Sequence, residues 1–265
     1  DLLEMEAKTG IVSPRIRPEL GLLDPLSLNT LHPMIRAANA FDVFSHACES
    51  LTARPFTHRQ APDHPARRPL SQGANPYSDI ACLEAIRLVG KNLIQGVHEP
   101  HNENLESLMF AGMLAGIGFG NAGCHLPHGM SYAVAGLCKD YHPDGWSSDH
   151  ALVPHGISVI VNSPAVFRFT ADACQERHLQ AAWAMGAETR GAGIQDGGHL
   201  LADRLIYLMK ETGIPNGLEG VGYGSEHLED LTERAYAQKR LIDNAPCPVS
   251  RDQMKDLFES SLSYW

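Results

Sequence analysis

The sequence predicts a mainly α-helical protein preceded by a short β-containing segment, and three observations predict it. From Pro33 onward, apolar residues recur at helical spacing through most of the chain. Prolines and capping residues such as Asn75-Pro76 stand where such runs begin. Residues 1–31 break the pattern, with prolines set between short apolar runs.

In "TGIVSPRIRPELGLLDPLSL" the prolines remove ladder donors and limit strand length, so short strands and turns are expected. "PMIRAANAFDVFSHACESLTA", starting at Pro33, reads as one long helix. Residues 54–74 hold four prolines with several Arg and His and read as a solvated loop. "NPYSDIACLEAIRLVGKNLIQGV" offers Asn75 as N-cap and Pro76 at the first helical position. "NENLESLMFAGMLAGIGFGNAG" is helical and rich in Ala and Gly, which implies close backbone approach. Further helical patterns fall at 124–137, 155–171, 176–186, 196–212, 226–237 and 251–264, giving seven to nine helices in all.

Bulk composition narrows the function. A formal charge of -10 with no basic cluster argues against nucleic acid and against an anionic membrane surface. No apolar run approaches the ~20 residues of a membrane span. Six scattered cysteines without a C-x-x-C suit a reduced compartment and no disulfide framework. No signal or transit peptide is read at the N-terminus, and a start at Asp1 without Met reads as a segment of something longer.

Some motifs are decoys. "GFGNAG" at 118–123 matches G-x-G-x-x-G, but the phosphate-binding form needs a preceding strand, so tight helix packing is the better reading. "HEPH" at 98–101 has the wrong spacing for a zinc helix, and "DGGHL" and "GVGYGS" read as turns or helix starts.

The unusual count is histidine, 14 in all. "FDVFSHACES" puts Asp42 and His46 four apart, on one helix face, where both can reach one cation. By itself such a pair is equally a hydrogen-bonded core pair. "GCHLPHGMSYAVAG" adds His125 and His128 three apart, and "LVPHGISVIV" adds His155 behind a proline. Histidines on apolar faces each need a buried partner, and one shared divalent metal would serve them all.

These stretches, with "AKTGIVSPRIRPELGLLDPLSL" and "ANPYSDIACLEAIRLVGK", resemble the iron-containing alcohol dehydrogenase family, and most closely its hydroxyacid-oxoacid transhydrogenase branch. The resemblance runs in order over nearly the whole chain, and the long 138–154 segment fits that branch. It implies a metal set of Asp42, His46, His128 and His155, with His125 a nearby non-ligand that stays a secondary catalytic candidate. Where many members carry a further histidine, four residues after the third ligand, this chain has Tyr132, which leaves open the group that relays the alcohol proton. Arg54 and His125 are candidates for holding an anionic substrate, for Arg54 against the plainer reading of a solvated helix-terminal charge.

The resemblance further implies a dehydroquinate synthase-like helical domain at 32–265, with 1–31 the end of a Rossmann-like NAD-binding domain whose glycine-rich loop is absent here. The implied cofactors are Fe(II), with Zn(II) as the alternative, and NAD bound mainly by the missing half. The implied reaction converts 4-hydroxybutyrate and 2-oxoglutarate to succinate semialdehyde and 2-hydroxyglutarate, although the chain alone is expected to be inactive. An ordinary NAD-dependent alcohol dehydrogenase and a non-catalytic metal-binding remnant are the alternatives. Expected partners are the small hydroxyacid and oxoacid substrates and, as an option for assembly, further copies of the chain. The implied location is mitochondrial for a eukaryotic source and cytoplasmic for a bacterial one.

Overall fold

Helix starts follow local chemistry closely. The computed structural model describes residues 13–16 and 18–265. The first long helix, α1 (Pro33–Thr52), begins with Pro33 in its first turn, where a missing N–H costs nothing, and His32 Nδ1 accepts from the Met34 amide at 3.3 Å. In α2 (Pro76–His98) the Asn75 side chain accepts from the Ser78 amide at 3.0 Å. α3 (Asn102–Ala122) stops at Gly123, whose φ of 83° lies in the region that glycine tolerates best. The chain then bends by 104° into α4 (Leu126–Gly136). α5 (His155–Ile160) and α6 (Ser163–Thr170) follow, then α7 (Gln175–Ala184), α8 (Gly197–Glu211), α9 (Leu228–Tyr236), α10 (Lys239–Ile242) and α11 (Arg251–Ser260).

Two expectations need correction. The run 155–171 is not one helix: it breaks after Ile160, because Pro164 has no N–H to continue the ladder. With the four-residue α10 this makes eleven α segments among the described residues. Second, the described part of 13–31 holds two 3-10 turns, Pro14–Ile16 and Pro25–Leu28, and no strand; Asp24 caps the second by accepting from the Leu26 amide at 3.0 Å. The rest of the segment read as strand and turn, residues 1–12 and 17, lies outside the described residues. Among those described, β pairing is confined to one isolated parallel bridge, Pro55 to Ala74. The largely exposed 54–74 loop fits its reading, apart from its buried end at Gly73 and Ala74.

α1 is the spine. It packs against α2, α3 and α5, while α4 lies against α5 and α9, and α6 and α7 lean on α8. Phe41, Phe44 and Leu51 of α1 are buried in the common core, with Phe44 edge-on to Phe167 of α6 at 6.0 Å. Arg177 of α7 locks the C-terminal end of the spine, bonding the Leu51 carbonyl at 2.7 Å and both Asp79 oxygens at 2.8 Å. "GFGNAG" is helix packing, since a side chain at Gly118 would strike Cys82 of α2. Among the described residues no single helix is long and apolar enough to cross a membrane; α3 and α4 pass that test only as a bent pair.

Candidate metal centre

Asp42 and His46 stand one turn apart on α1, and α4 and α5 bring His128 and His155 to the same face. One donor atom from each of the four lies within 4.8 Å of the others. Asp42 Oδ1 is 3.6 Å from both His128 Nε2 and His155 Nε2, and His46 Nε2 is 3.1 Å from His128 Nε2. Phe119 of α3 stacks on the His46 ring at 4.4 Å, which holds that ring flat against an apolar wall. The site is graded in depth: the His128 side chain is 7% exposed, Asp42 24% and His155 36%. Solvent therefore reaches it from the His155 side.

The donor set fits a divalent cation. Asp42 Oδ1 is buried and has no hydrogen-bond partner, though imidazole nitrogens surround it. An orphaned carboxylate oxygen in such company is costly unless a cation satisfies it. One carboxylate with three imidazoles and no thiolate suits a borderline ion.

Protonation is shared unequally in the metal-free cluster. Burial alone would depress the His128 pKa, but Cys124 and Glu49 beside it hold it well above the ordinary value. Burial, then the neighbouring His128 charge, push His46 down to about 4. Burial opposes the Asp42 charge, yet His46 and His128 outweigh it and keep that carboxyl below its usual range.

A second group of donor-type residues, Glu49, Cys124 and His128, sits directly behind the first. It is a poor ion site: a 2.6 Å hydrogen bond already joins His128 Nδ1 to Glu49, and burial pushes the Cys124 thiol up.

The secondary candidates fare differently. His125 is fully buried but turned away from the cluster, with Nε2 3.0 Å from the Thr52 hydroxyl. Thr52 gives its own proton to the Cys48 carbonyl at 2.7 Å, so His125 is the Nε2–H tautomer and its Nδ1 stays unpartnered. Its backbone explains the miss: at φ -139°, ψ -123° it is the non-helical residue before α4, so three-residue helical spacing to His128 does not apply. Tyr132 is half-buried, one turn beyond His128 on α4. Arg54 does not join the site. It lies beyond the end of α1, eight residues past His46 or roughly 12 Å of helical rise, against a cavity of about 340 Å³ lined also by Lys239 and Asp243. It is half-buried, so the solvated helix-terminal charge is not its environment either.

Sequence reasoning passed over two residues. Glu49 was legible as a carboxylate three positions after His46, on the same helix face. Asn244 was not: it is distant in sequence, yet its Nδ2 donates to the Ala122 and Cys124 carbonyls at 3.1 and 3.0 Å, fixing the α3–α4 turn.

Residues 69–262 match the Fe-containing alcohol dehydrogenase family, C-terminal. This chain belongs to that family. Among curated relatives, it is 45% identical over 269 residues to the mitochondrial hydroxyacid-oxoacid transhydrogenase of Homo sapiens, covering all of this chain and 57% of that protein. To a probable mitochondrial hydroxyacid-oxoacid transhydrogenase of Dictyostelium discoideum it is 40% identical, covering 98% of this chain and 48% of that protein. The chain thus spans only about half the length of the relatives it matches. Of solved structures, a 1,3-propanediol oxidoreductase superposes with a TM-score of 0.75 at 25% identity, over 90% of this chain and 54% of that one. An archaeal Red Sea brine pool alcohol dehydrogenase, at 23% identity and a TM-score of 0.79 over 98% of this chain and 58% of that one, shares the fold.

Proposed function

We propose that this chain is the metal-binding part of a hydroxyacid-oxoacid transhydrogenase, with Asp42, His46, His128 and His155 as the ligands. The observation that carries the reading is their convergence around the orphaned Asp42 Oδ1. The curated relatives, similar over the whole chain, support this reaction over a plain alcohol dehydrogenase. Residues 1–31 then close a nicotinamide-binding half, and 32–265 form the metal half. The substrates are 4-hydroxybutyrate and 2-oxoglutarate, and the ion is Fe(II) in preference to Zn(II). The relatives' names also support a mitochondrial location for a eukaryotic source.

A divalent cation bound there would supply Lewis acidity to a hydroxyl or carbonyl oxygen during hydride exchange with NAD. The chain's own residues do the rest. His128 and His46 form the deeper wall, and His155 borders the open side by which a substrate oxygen arrives. Phe119 stacks on the His46 ring and holds its orientation. Tyr132 takes the part of proton relay for the substrate hydroxyl, a part for which His125 faces the wrong way.

The test is to give the full-length protein 4-hydroxybutyrate and 2-oxoglutarate without free NAD. Equal yields of succinate semialdehyde and 2-hydroxyglutarate are expected. Turnover that needs added NAD, with NADH accumulating and no oxoacid required, would refute the transhydrogenase reading and leave an alcohol dehydrogenase.

A further inference from the structure

One buried acid takes no part in the ligand set. Glu49 lies on α1, and its side chain is 0% exposed. A carboxylate so placed is tolerated only when its oxygens are satisfied. Oε1 accepts from His128 Nδ1 at 2.6 Å. Oε2 accepts from the backbone N–H of His125 at 2.7 Å and, more weakly, from that of His128 at 3.4 Å. α4 has no side-chain cap of its own and no acid in its first turn, so Glu49 supplies from another helix the anion that its N-terminus favours.

We propose that Glu49 is the positioning residue of the metal centre: it fixes His128 as the tautomer whose Nε2 lone pair is free for the ion, and it pins the start of α4 at the matching depth. The proposal rests on the reading of Asp42, His46, His128 and His155 as ligands. Two oxygens meeting three donors leave little slack. An amide at this position would turn an NH₂ toward one of those donors, and an aspartate, one methylene shorter, would not reach both His128 Nδ1 and the His125 amide. Glu49 also adds the second negative charge, after Asp42, that balances a divalent ion in a buried place.

The experiment uses the 265-residue chain with Zn(II) as the probe, and reads affinity by chelator competition and imidazole protonation by ¹⁵N-resolved NMR. In the unsubstituted, Zn-loaded chain His128 should carry its proton on Nδ1, with that proton shifted downfield by the carboxylate; this measurement needs no variant to fold. Glu49→Gln should weaken Zn(II) binding about 10–100-fold and move the Nδ1 proton upfield, with Glu49→Asp weaker than the parent chain but above Gln. An unprotonated Nδ1 in the parent chain overturns the proposal, and so does unchanged affinity in Glu49→Gln. Weakened binding with an unmoved Nδ1 proton would reduce Glu49 to a helix cap, which also overturns it. Asp42→Asn and His155→Ala separate the two levels: if they bind Zn(II) like the parent, the ligand reading itself has failed; if they lose binding while Glu49→Gln keeps it, only the role of Glu49 has.

Discussion

Two buried histidines in this molecule have opposite surroundings. His128 and His178 are both almost wholly buried, and both lie in an apolar core. His178 has neutral partners on each ring nitrogen: the Cys174 carbonyl 3.0 Å from Nδ1 and the Thr170 hydroxyl 3.0 Å from Nε2. Burial therefore pushes its pKa down to about 4. His128 has a carboxylate on Nδ1 and leaves Nε2 facing Asp42 and His46. A buried imidazole is thus not by itself a ligand; what separates the two is whether an anion holds one nitrogen while the other points at further donors.

The largest effect expected is on metal content. His128→Ala should take bound divalent metal from one equivalent to near zero by elemental analysis, whereas His178→Gln should keep it. Loss in both variants would erase the distinction.

Acid response comes next. The native His178 pKa of about 4 lies below the unfolded value near 6.5, so the unfolded chain binds the extra proton. Stability is then full above pH 6.5 and falls as pH drops toward 4, by roughly 3 kcal/mol for this group. His128, raised in the metal-free chain, works the other way: its contribution is complete below pH 6.5 and fades as pH rises through its native pKa. In chelator, denaturation at several pH values should show His178→Gln losing less stability than the parent as pH falls below 6.5, and His128→Gln losing less than the parent as pH rises above 6.5. Slopes of the same sign would contradict the contrast.

A packing change sharpens it. Gly156, next to His155, runs against the Ala38 carbonyl of α1, where a methyl group has no room. Gly156→Ala should cost about 1–3 kcal/mol and weaken metal binding by displacing α5, both measurable on one sample by denaturation and chelator competition. Thr170→Val is the mildest. It strips the hydroxyl from His178 and should cost roughly 1–2 kcal/mol, with metal affinity unchanged.

Much of this was legible from residues alone, for local reasons. Pro33 and the Asn75-Pro76 pair marked two helix starts because capping is decided within one turn. The i, i+4 spacing of Asp42 and His46 announced a shared face, and His128 and His155 joined them as the resemblance implied. The tertiary partners were hidden. In "GCHLPH" only Pro127, in the first turn of α4, marks a helix start after His125, and helical spacing to His128 alone kept His125 a candidate. The apolar run around Asn162 hid a helix break behind continuous hydrophobicity, with only Pro164 to betray it. Arg54 read as a substrate clamp or a surface charge because sequence gives no sign of the cavity it lines.

The donors come from α1, α4 and α5, segments far apart along the chain. An ion gripping all of them would act as a removable cross-link, absent from the unfolded ensemble and present only in the native one. At a free concentration a hundredfold above its dissociation constant it would add about 2.7 kcal/mol. Starving the protein of that ion would therefore shorten its life against proteases, so abundance as well as turnover would follow metal supply.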